Sequence, residues 1–376
     1  MSGRISPMQL TEYLYTKAGR AGIPIGGTFE LSPVCNFTCP MCYVRKTAGE
    51  VAASPRPILT LDRWLELARQ AREQGLLYLL LTGGEPLLWP DFWTLYEQLI
   101  QMGFLVSINT NGSLIDEAAI ERLKRLAPRR VNITLYGAGD DTYERQCRAR
   151  GVFSRVRKAI EGLQDAGIPV KLNGTITPDN VCDLEDMVAY AQSRKLILET
   201  TTYLFPPVRR LPSMTGVNQR FTPEEAARHH LRIFELQNGP ERYRAYLEKI
   251  LRNAVPPPGL DEQCTDPRDG KIRCRAGRAT FWVTWDGYLT PCGMMPEPKV
   301  DLTGRPFGEA WRELTERSAG LALSGVCGKC PNAELCHSCA AMAMAETGSA
   351  SGIPKYLCRM TRAMRAEAEN RLAEGQ

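Results

Sequence analysis

The sequence has no long hydrophobic run. Its longest apolar stretch, 76–81, is far shorter than the ~20 residues a membrane-spanning helix needs, and it reads as a buried strand. The opening residues, MSGRISPMQL, hold no apolar segment of signal-peptide length, so the cytoplasm is the expected compartment. Net charge is also small, +5 over 376 residues. No RNA-binding signature accompanies the basic stretches 145–158, 209–210 and 268–278, so nucleic acid is not expected as a partner. Those stretches read either as solvated helix faces or as a docking surface for an acidic peptide or electron donor. Cysteine, by contrast, is plentiful. There are 13, an odd number, tightly clustered in sequence. Cytosolic thiols stay reduced, so clustering of this kind points to metal ligation rather than disulfides.

Short apolar runs alternate with longer helical patterns between residues 28 and 202. Strands are expected at 27–32, 77–81, 104–109, 131–135, 169–175 and 196–201. Helices are expected at 61–74, 91–102, 116–126, 153–166 and 184–193, with Thr60 and Asp179 as start signals. Six strand–helix units imply an α/β fold with a parallel sheet and right-handed crossovers. That is too few for a closed eight-fold barrel, so a partial (β/α)6 TIM-type barrel is expected, active at the C-terminal ends of its strands. Pro206 and Pro207 break the alternation. A helix over 223–251 follows, capped by Thr222, and then a linker at Pro256-Pro257-Pro258-Gly259. The segment 264–358 is cysteine-rich with little room for a hydrophobic core, which implies that metal holds it together. A charged helix at 359–373 ends the chain. The expected organisation is an N-terminal extension (1–26), the barrel (27–205), a helical bridge and linker (206–260), and a small cysteine-rich iron–sulfur domain (261–376).

Cys35, Cys39 and Cys42 form C-x3-C-x2-C directly after the first strand. Three thiolates on one loop hold three irons of a four-iron cluster and leave the fourth open; the alternative is a zinc site lacking its fourth ligand. Strand two runs into Thr82-Gly83-Gly84-Glu85-Pro86. Two glycines let the backbone approach a ligand closely, and Glu85 offers a carboxylate to an ammonium; alone, the stretch would be an ordinary strand-to-helix turn.

Together these features resemble the radical SAM superfamily, over roughly 27–202. The resemblance implies a [4Fe-4S] cluster on Cys35, Cys39 and Cys42, and S-adenosylmethionine (SAM) with its amine at Gly83, Gly84 and Glu85. It further implies polar SAM contacts from Asn109, in Asn109-Thr110-Asn111-Gly112, and from Thr134, in Thr134-Leu135-Tyr136-Gly137. An Asn-Gly pair is also simply a turn. Two places depart from the family pattern. Met41 stands where an aromatic commonly precedes the third cysteine, and Asn173-Gly174-Thr175-Ile176-Thr177 matches the adenine-contacting strand poorly.

Further along, Cys274-x12-Gly287-x4-Cys292 precedes Cys327-x2-Cys330-x5-Cys336-x2-Cys339 and Cys358. This is similar to the SPASM extension of radical SAM peptide-modifying enzymes, with one interval a residue short. The resemblance implies two auxiliary [4Fe-4S] clusters, one on Cys264, Cys274, Cys292 and Cys339, the other on Cys327, Cys330, Cys336 and Cys358. If Cys264 is not a ligand, the first has an open site. A pair of zinc ribbons is the competing reading.

Cys182 reads as an incidental thiol. Cys147 follows strand four, flanked by Arg145 and Arg148; arginines lower a thiol pKa, and a thiol there would donate hydrogen to a substrate radical. An incidental cysteine is the plainer reading. Tyr203 and Arg209 fit substrate-facing, core or surface roles. By resemblance the chain is an oxidoreductase that cleaves SAM to a 5'-deoxyadenosyl radical and modifies a ribosomally made peptide. A flavodoxin- or ferredoxin-type donor is the implied partner. Only about 26 residues precede strand one, too few for a leader-binding domain, so a separate leader-peptide-binding protein is implied. The stretch 339–358 also resembles enzymes acting on small-molecule or tetrapyrrole-type cofactor precursors. A non-catalytic electron-transfer protein is the remaining alternative.

Overall fold

The computed structural model describes residues 7–206, 209, 220–252, 274–328, 330 and 332–375. In chain order the elements are α1 (Pro7–Ala21), β1 (Gly26–Glu30), α2 (Ala48–Ala52), α3 (Leu61–Glu73), β2 (Tyr78–Thr82), α4 (Phe92–Gln101), β3 (Leu105–Thr110) and α5 (Glu117–Arg125). They continue with β4 (Arg130–Thr134), α6 (Asp140–Cys147), α7 (Phe153–Asp165), β5 (Val170–Thr175), α8 (Leu184–Ser193), β6 (Leu198–Thr201), α9 (Pro223–Asn238) and α10 (Pro240–Arg252). The remainder is β7 (Thr280–Val283), β8 (Tyr288–Thr290), β9 (Val300–Asp301), α11 (Phe307–Ala319), α12 (Gly325–Gly328), α13 (Ala340–Thr347) and α14 (Lys355–Ala373).

All nine strands form one sheet in the order β6-β5-β4-β3-β2-β1-β7-β8-β9. Strands β1–β6 run parallel in sequence order, as a partial barrel requires. Their alternation is two-sided. Phe29, Leu79, Leu81, Val106, Ile108, Val131, Ile133 and Leu172 are buried in the main core beneath the helices. The intervening residues, Thr28, Leu80, Ser107, Asn109, Asn132, Thr134, Lys171 and Asn173, fall on the inner face. Thr60 caps α3 by accepting the Arg63 N–H, and Thr222 with Glu225 forms a capping box on α9.

Several expectations change. The helix expected at 223–251 is two helices, α9 and α10, divided at Gly239 with φ +78°. Asp179 does not cap α8, which starts at Leu184 after a 3-10 turn at Val181–Asp183. The C-terminal segment is not short of core. β7 pairs in parallel with β1, and Phe281, Val283, Leu289, Phe307, Trp311 and Leu314 join the barrel's own core. The N-terminal extension holds α1, whose Tyr15 stacks on Tyr78 at 5.4 Å beside a small cluster of Ala18, Ile25 and Ala279. The expected linker at 256–259 and Cys264 lie outside the described residues. Among the described residues, no helix is long and apolar enough to cross a membrane.

Candidate active site and cysteine neighbourhoods

β1 delivers the chain into the loop carrying Cys35, Cys39 and Cys42, and the turn after β2 locks onto that loop. The Gly84 N–H donates to the Ser32 carbonyl at 2.7 Å and the Glu85 N–H to the Val34 carbonyl at 2.9 Å. A Cβ on Gly83 would stand 2.4 Å from the Ser32 oxygen, and one on Gly84 2.4 Å from that of Val34. These are backbone atoms, which cannot step aside. The close approach these glycines permit is thus, in the first place, to the cysteine loop itself.

The sulfurs sit among N–H donors. The Phe37 N–H reaches Cys35 Sγ at 3.4 Å, the Arg45 N–H reaches Cys42 Sγ at 3.3 Å, and Asn111 Nδ2 reaches Cys35 Sγ at 3.8 Å. Such contacts stabilise thiolate sulfur and tune a cluster held by it, so the donor set fits an iron–sulfur group. Burial, helped by the nearby Glu85 carboxylate and the other two cysteines, pushes the Cys35 thiol up to about 12. A metal centre reverses that balance, because a coordinating thiol is deprotonated outright.

Glu85 is completely buried. Its carboxylate accepts from Thr110 Oγ1 at 2.7 Å, the Asn111 N–H at 2.8 Å and the Leu87 N–H at 3.3 Å. Burial raises its pKa to about 7 against the pull of these bonds. A carboxylate has about four acceptor positions, so roughly one remains open. Asn111 also donates to Asn36 Oδ1 at 2.9 Å, while Asn36 Nδ2 donates to Ser113 Oγ at 2.8 Å. Asn111, Asn36 and Ser113 thereby tie Cys35 to the exit of β3. Of the two asparagines in 109–111, Asn109 is the one on the inner face, where it accepts from Asn132 Nδ2 at 2.7 Å. Thr134 lies further along that face, in register with Asn173.

Glu30, also completely buried, was not singled out by the sequence; an acid closing an apolar strand was the available sign. Arg209 grips both its oxygens at 2.7 Å, and Trp282 Nε1 donates to it at 2.8 Å. The same guanidinium reaches the Gly293 carbonyl at 3.3 Å, next to Cys292, and lies 6.0 Å from the Tyr43 ring, next to Cys42. Tyr203 instead donates to Glu346 of α13 at 2.8 Å, within a buried pair that Glu346 makes with Arg220.

Cys147 is fully buried at the end of α6, its thiol beside that of Cys39 and its carbonyl accepting the Thr38 N–H at 3.0 Å. The expected acidification by arginines is not found. Burial pushes the Cys147 thiol up, and Arg145 turns to Thr142, Cys182 and the Asp179 carbonyl. Cys182 is exposed.

In the C-terminal part, Cys274, Cys292 and Cys339 fall within electrostatic reach of one another. Cys327, Cys330, Cys336 and Cys358 form a second neighbourhood. The Met294 N–H contacts Cys292 Sγ at 3.3 Å and the Met342 N–H contacts Cys339 Sγ at 3.5 Å, with Cys339 capping α13. Among the described residues, no three Cys, His, Asp or Glu side chains converge on a single ion.

Residues 29–191 match the Radical SAM superfamily. A probable GTP 3',8-cyclase of Saccharolobus islandicus is 33% identical over 78% of this chain and 90% of its own length. The AdoMet-dependent heme synthase of Methanosarcina barkeri is 25% identical over 85% of this chain and 92% of that protein. Among solved structures, Streptococcus suis SuiB bound to precursor peptide SuiA superposes with TM-score 0.66 at 17% identity, covering 93% of this chain and 80% of SuiB. The chain belongs to the radical SAM superfamily, and its fold is that of SPASM-type relatives.

Proposed function

We propose that the chain reductively cleaves SAM and modifies a ribosomally made peptide by hydrogen abstraction, forming a crosslink, thioether or related oxidation. The observation that carries this reading is the junction of the cysteine loop with the Gly83–Glu85 turn, both at the C-terminal ends of parallel strands. Cys35, Cys39 and Cys42 hold the [4Fe-4S] cluster, and Gly83, Gly84, Glu85, Asn109 and Thr134 bind SAM. Once bound, the cluster and SAM supply one-electron cleavage to a 5'-deoxyadenosyl radical. The chain orients that pair. Glu85 holds β2 to β3 and offers its remaining acceptor position to the SAM ammonium.

Cys264, Cys274, Cys292 and Cys339 hold one auxiliary [4Fe-4S] cluster, and Cys327, Cys330, Cys336 and Cys358 the other, giving three in all. On this reading the chain divides into an N-terminal extension over 1–26, the barrel over 27–205, a bridge over 206–260 and an auxiliary region over 261–376. A cytoplasmic flavodoxin- or ferredoxin-type donor supplies the electron, and a separate protein presents the leader. Peptide as substrate draws support from SuiB, whose structure holds a precursor peptide. The test is anaerobic reconstitution with SAM and dithionite, together with co-expression of a short cysteine- or glycine-rich peptide encoded nearby. Released 5'-deoxyadenosine with a peptide losing hydrogen mass supports the reading. No 5'-deoxyadenosine defeats the radical assignment, and 5'-deoxyadenosine with every such peptide unchanged defeats the peptide assignment.

A second reading, action on a tetrapyrrole-type precursor, is favoured by the heme synthase relative, matched over 92% of its length. Consumption of a carboxylated porphyrin in the same assay would select it.

A further inference from the structure

The inner face of the sheet is polar and poorly neutralised at its N-terminal end. Strand alternation sends Ser107 of β3, and Arg130 and Asn132 of β4, to that face. Register sets Ser107 beside Arg130 and Asn109 beside Asn132. Ser107, Arg130 and Asn132, with Tyr15, Thr28 and Arg129, line a cavity of about 220 Å³. One water occupies ~30 Å³ of liquid, so the space admits a carboxylate together with its methylene stem.

Two buried polar atoms of this wall have no hydrogen-bond partner: Arg130 Nε, a donor, and Asn132 Oδ1, an acceptor. Asn132 is only 6% exposed, and its Nδ2 is committed to Asn109. The charges are equally unbalanced. Arg129 and Arg130 are adjacent, and the carboxylate that offsets Arg130, Glu199, is already paired with Lys171. Arg129 lies over the Tyr78 ring at 5.1 Å. A buried guanidinium donor without a partner, on one of two adjacent cations, is the chemistry of an anion site; the Asn132 oxygen, an acceptor, is not one of the anion's own ligands.

We propose that this end of the barrel is a carboxylate subsite, in which Arg130 and Arg129 hold an acidic side chain or the C-terminus of the peptide substrate. The proposal rests on the radical reading above. Arg130 opens β4 and Thr134 closes it; four residue steps of ~3.3 Å put the subsite about 13 Å below the strand ends.

The test uses the anaerobically reconstituted full chain, with glutarate and its neutral analogue glutaramide as probes in ligand-observed NMR titrations. Wild type should bind glutarate at least tenfold more tightly than glutaramide. Arg130→Gln should remove that preference, and Arg130→Lys should retain part of it. Unchanged iron content and thermal midpoint establish that the variant is folded. If Arg130→Gln fails to fold, Asn132→Asp, close to isosteric, places a carboxylate in the cavity and should abolish glutarate binding. Equal binding of the two probes to wild type, no binding of glutarate, or an unaltered preference in folded Arg130→Gln would overturn the subsite. Displacement of glutarate by a glutamate-containing pentapeptide supports a peptide carboxylate; displacement by a tetracarboxylate porphyrin alone overturns that assignment. SAM cleavage by wild type is scored separately, so failure of the radical reading is distinguishable from failure of the subsite.

Discussion

The barrel strands and the segment from residue 274 onward share one sheet, yet different interactions hold them. Between β1 and β6, nearly every core-facing position is a fully buried aliphatic or aromatic residue. After residue 274 the segment divides in two. β7, β8 and α11 contribute Phe281, Val283, Leu289, Phe307 and Trp311 to the barrel core. Among the described residues, the stretch around Cys292 and Cys339 has only Met295, Ala340 and Ala341 buried in its own cluster. The lesson is that a cysteine-rich segment need not be short of apolar packing. A segment can be rich in cysteine and still pack on a neighbouring core, because a single parallel strand pair, β1 with β7, places its apolar face there.

The largest effect that would break this comparison is Trp311→Ala. Trp311 is 3% exposed, and its Nε1 donates to the Gly22 carbonyl at 2.7 Å. Truncation should cost about 3–5 kcal/mol in urea unfolding of the whole chain. A loss under about 1 kcal/mol would mean that the C-terminal segment folds independently of the barrel.

Glu346→Ala probes the joint that α13 makes with Tyr203, beyond β6, and Arg220, ahead of α9. Arg220 and Glu346 expose only 8% and 6% of their side chains, and the guanidinium also lies 3.7 Å from the Tyr356 ring centroid. Removing one partner leaves a buried charge, a cost of roughly 3 kcal/mol. Hydrogen exchange should accelerate in α13 and α14 while β2 to β4 stay protected. Uniform acceleration would show that the two regions open as one unit.

Glu85→Gln tests the barrel's own site. Burial raises the folded pKa of Glu85 to about 7, so the carboxyl is increasingly neutral below that pH. An ammonium pairs with the ionised form, so wild-type SAM affinity should rise from pH 5.5 to 7.5 and be lost as pH falls through about 7. The variant should be flat over that range and about one to two decades weaker at pH 7.5, since a charged hydrogen bond contributes roughly 1.5–3 kcal/mol. A pH profile shared by variant and wild type would remove Glu85 from the amine site.

Asp301→Asn should have the smallest effect. Arg56 of the barrel holds the Asp301 carboxyl well below the usual carboxylate range, but the two side chains are 24% and 43% exposed. Solvent screening limits the pair to about 0.5 kcal/mol. Because the folded pKa is depressed, that stability is present at pH 7 and lost as pH falls through the depressed value. A difference in urea midpoint that grew on acidification would contradict the pairing.

Much of the barrel was legible because its alternation of strand and helix periods is regular. The run 77–81 and β2, Tyr78–Thr82, differ by one residue, and helix 184–193 coincides with α8. What escaped was non-local. Nothing in the sequence of β7 states that it will pair with β1, some 250 residues earlier, and cysteine density obscured the aromatic residues packed beside it. The break at Gly239 stood in the sequence as Gly-Pro, but the strong apolar period on both sides outweighed it. At the site, the motif residues were visible while their supports were not: strand alternation alone cannot reveal that Asn111, beyond the end of β3, reaches Cys35 while Asn109 turns to Asn132.

The account turns on the cysteine loop after β1 as the place where SAM is cleaved. The direct measurement is 5'-deoxyadenosine formed by the anaerobically reconstituted protein with dithionite, compared between wild type and the variant with Cys35, Cys39 and Cys42 all changed to Ala. The account predicts release by wild type, none by the variant, and loss of about four irons with the C-terminal iron retained. Continued reductive cleavage by the triple variant would contradict it.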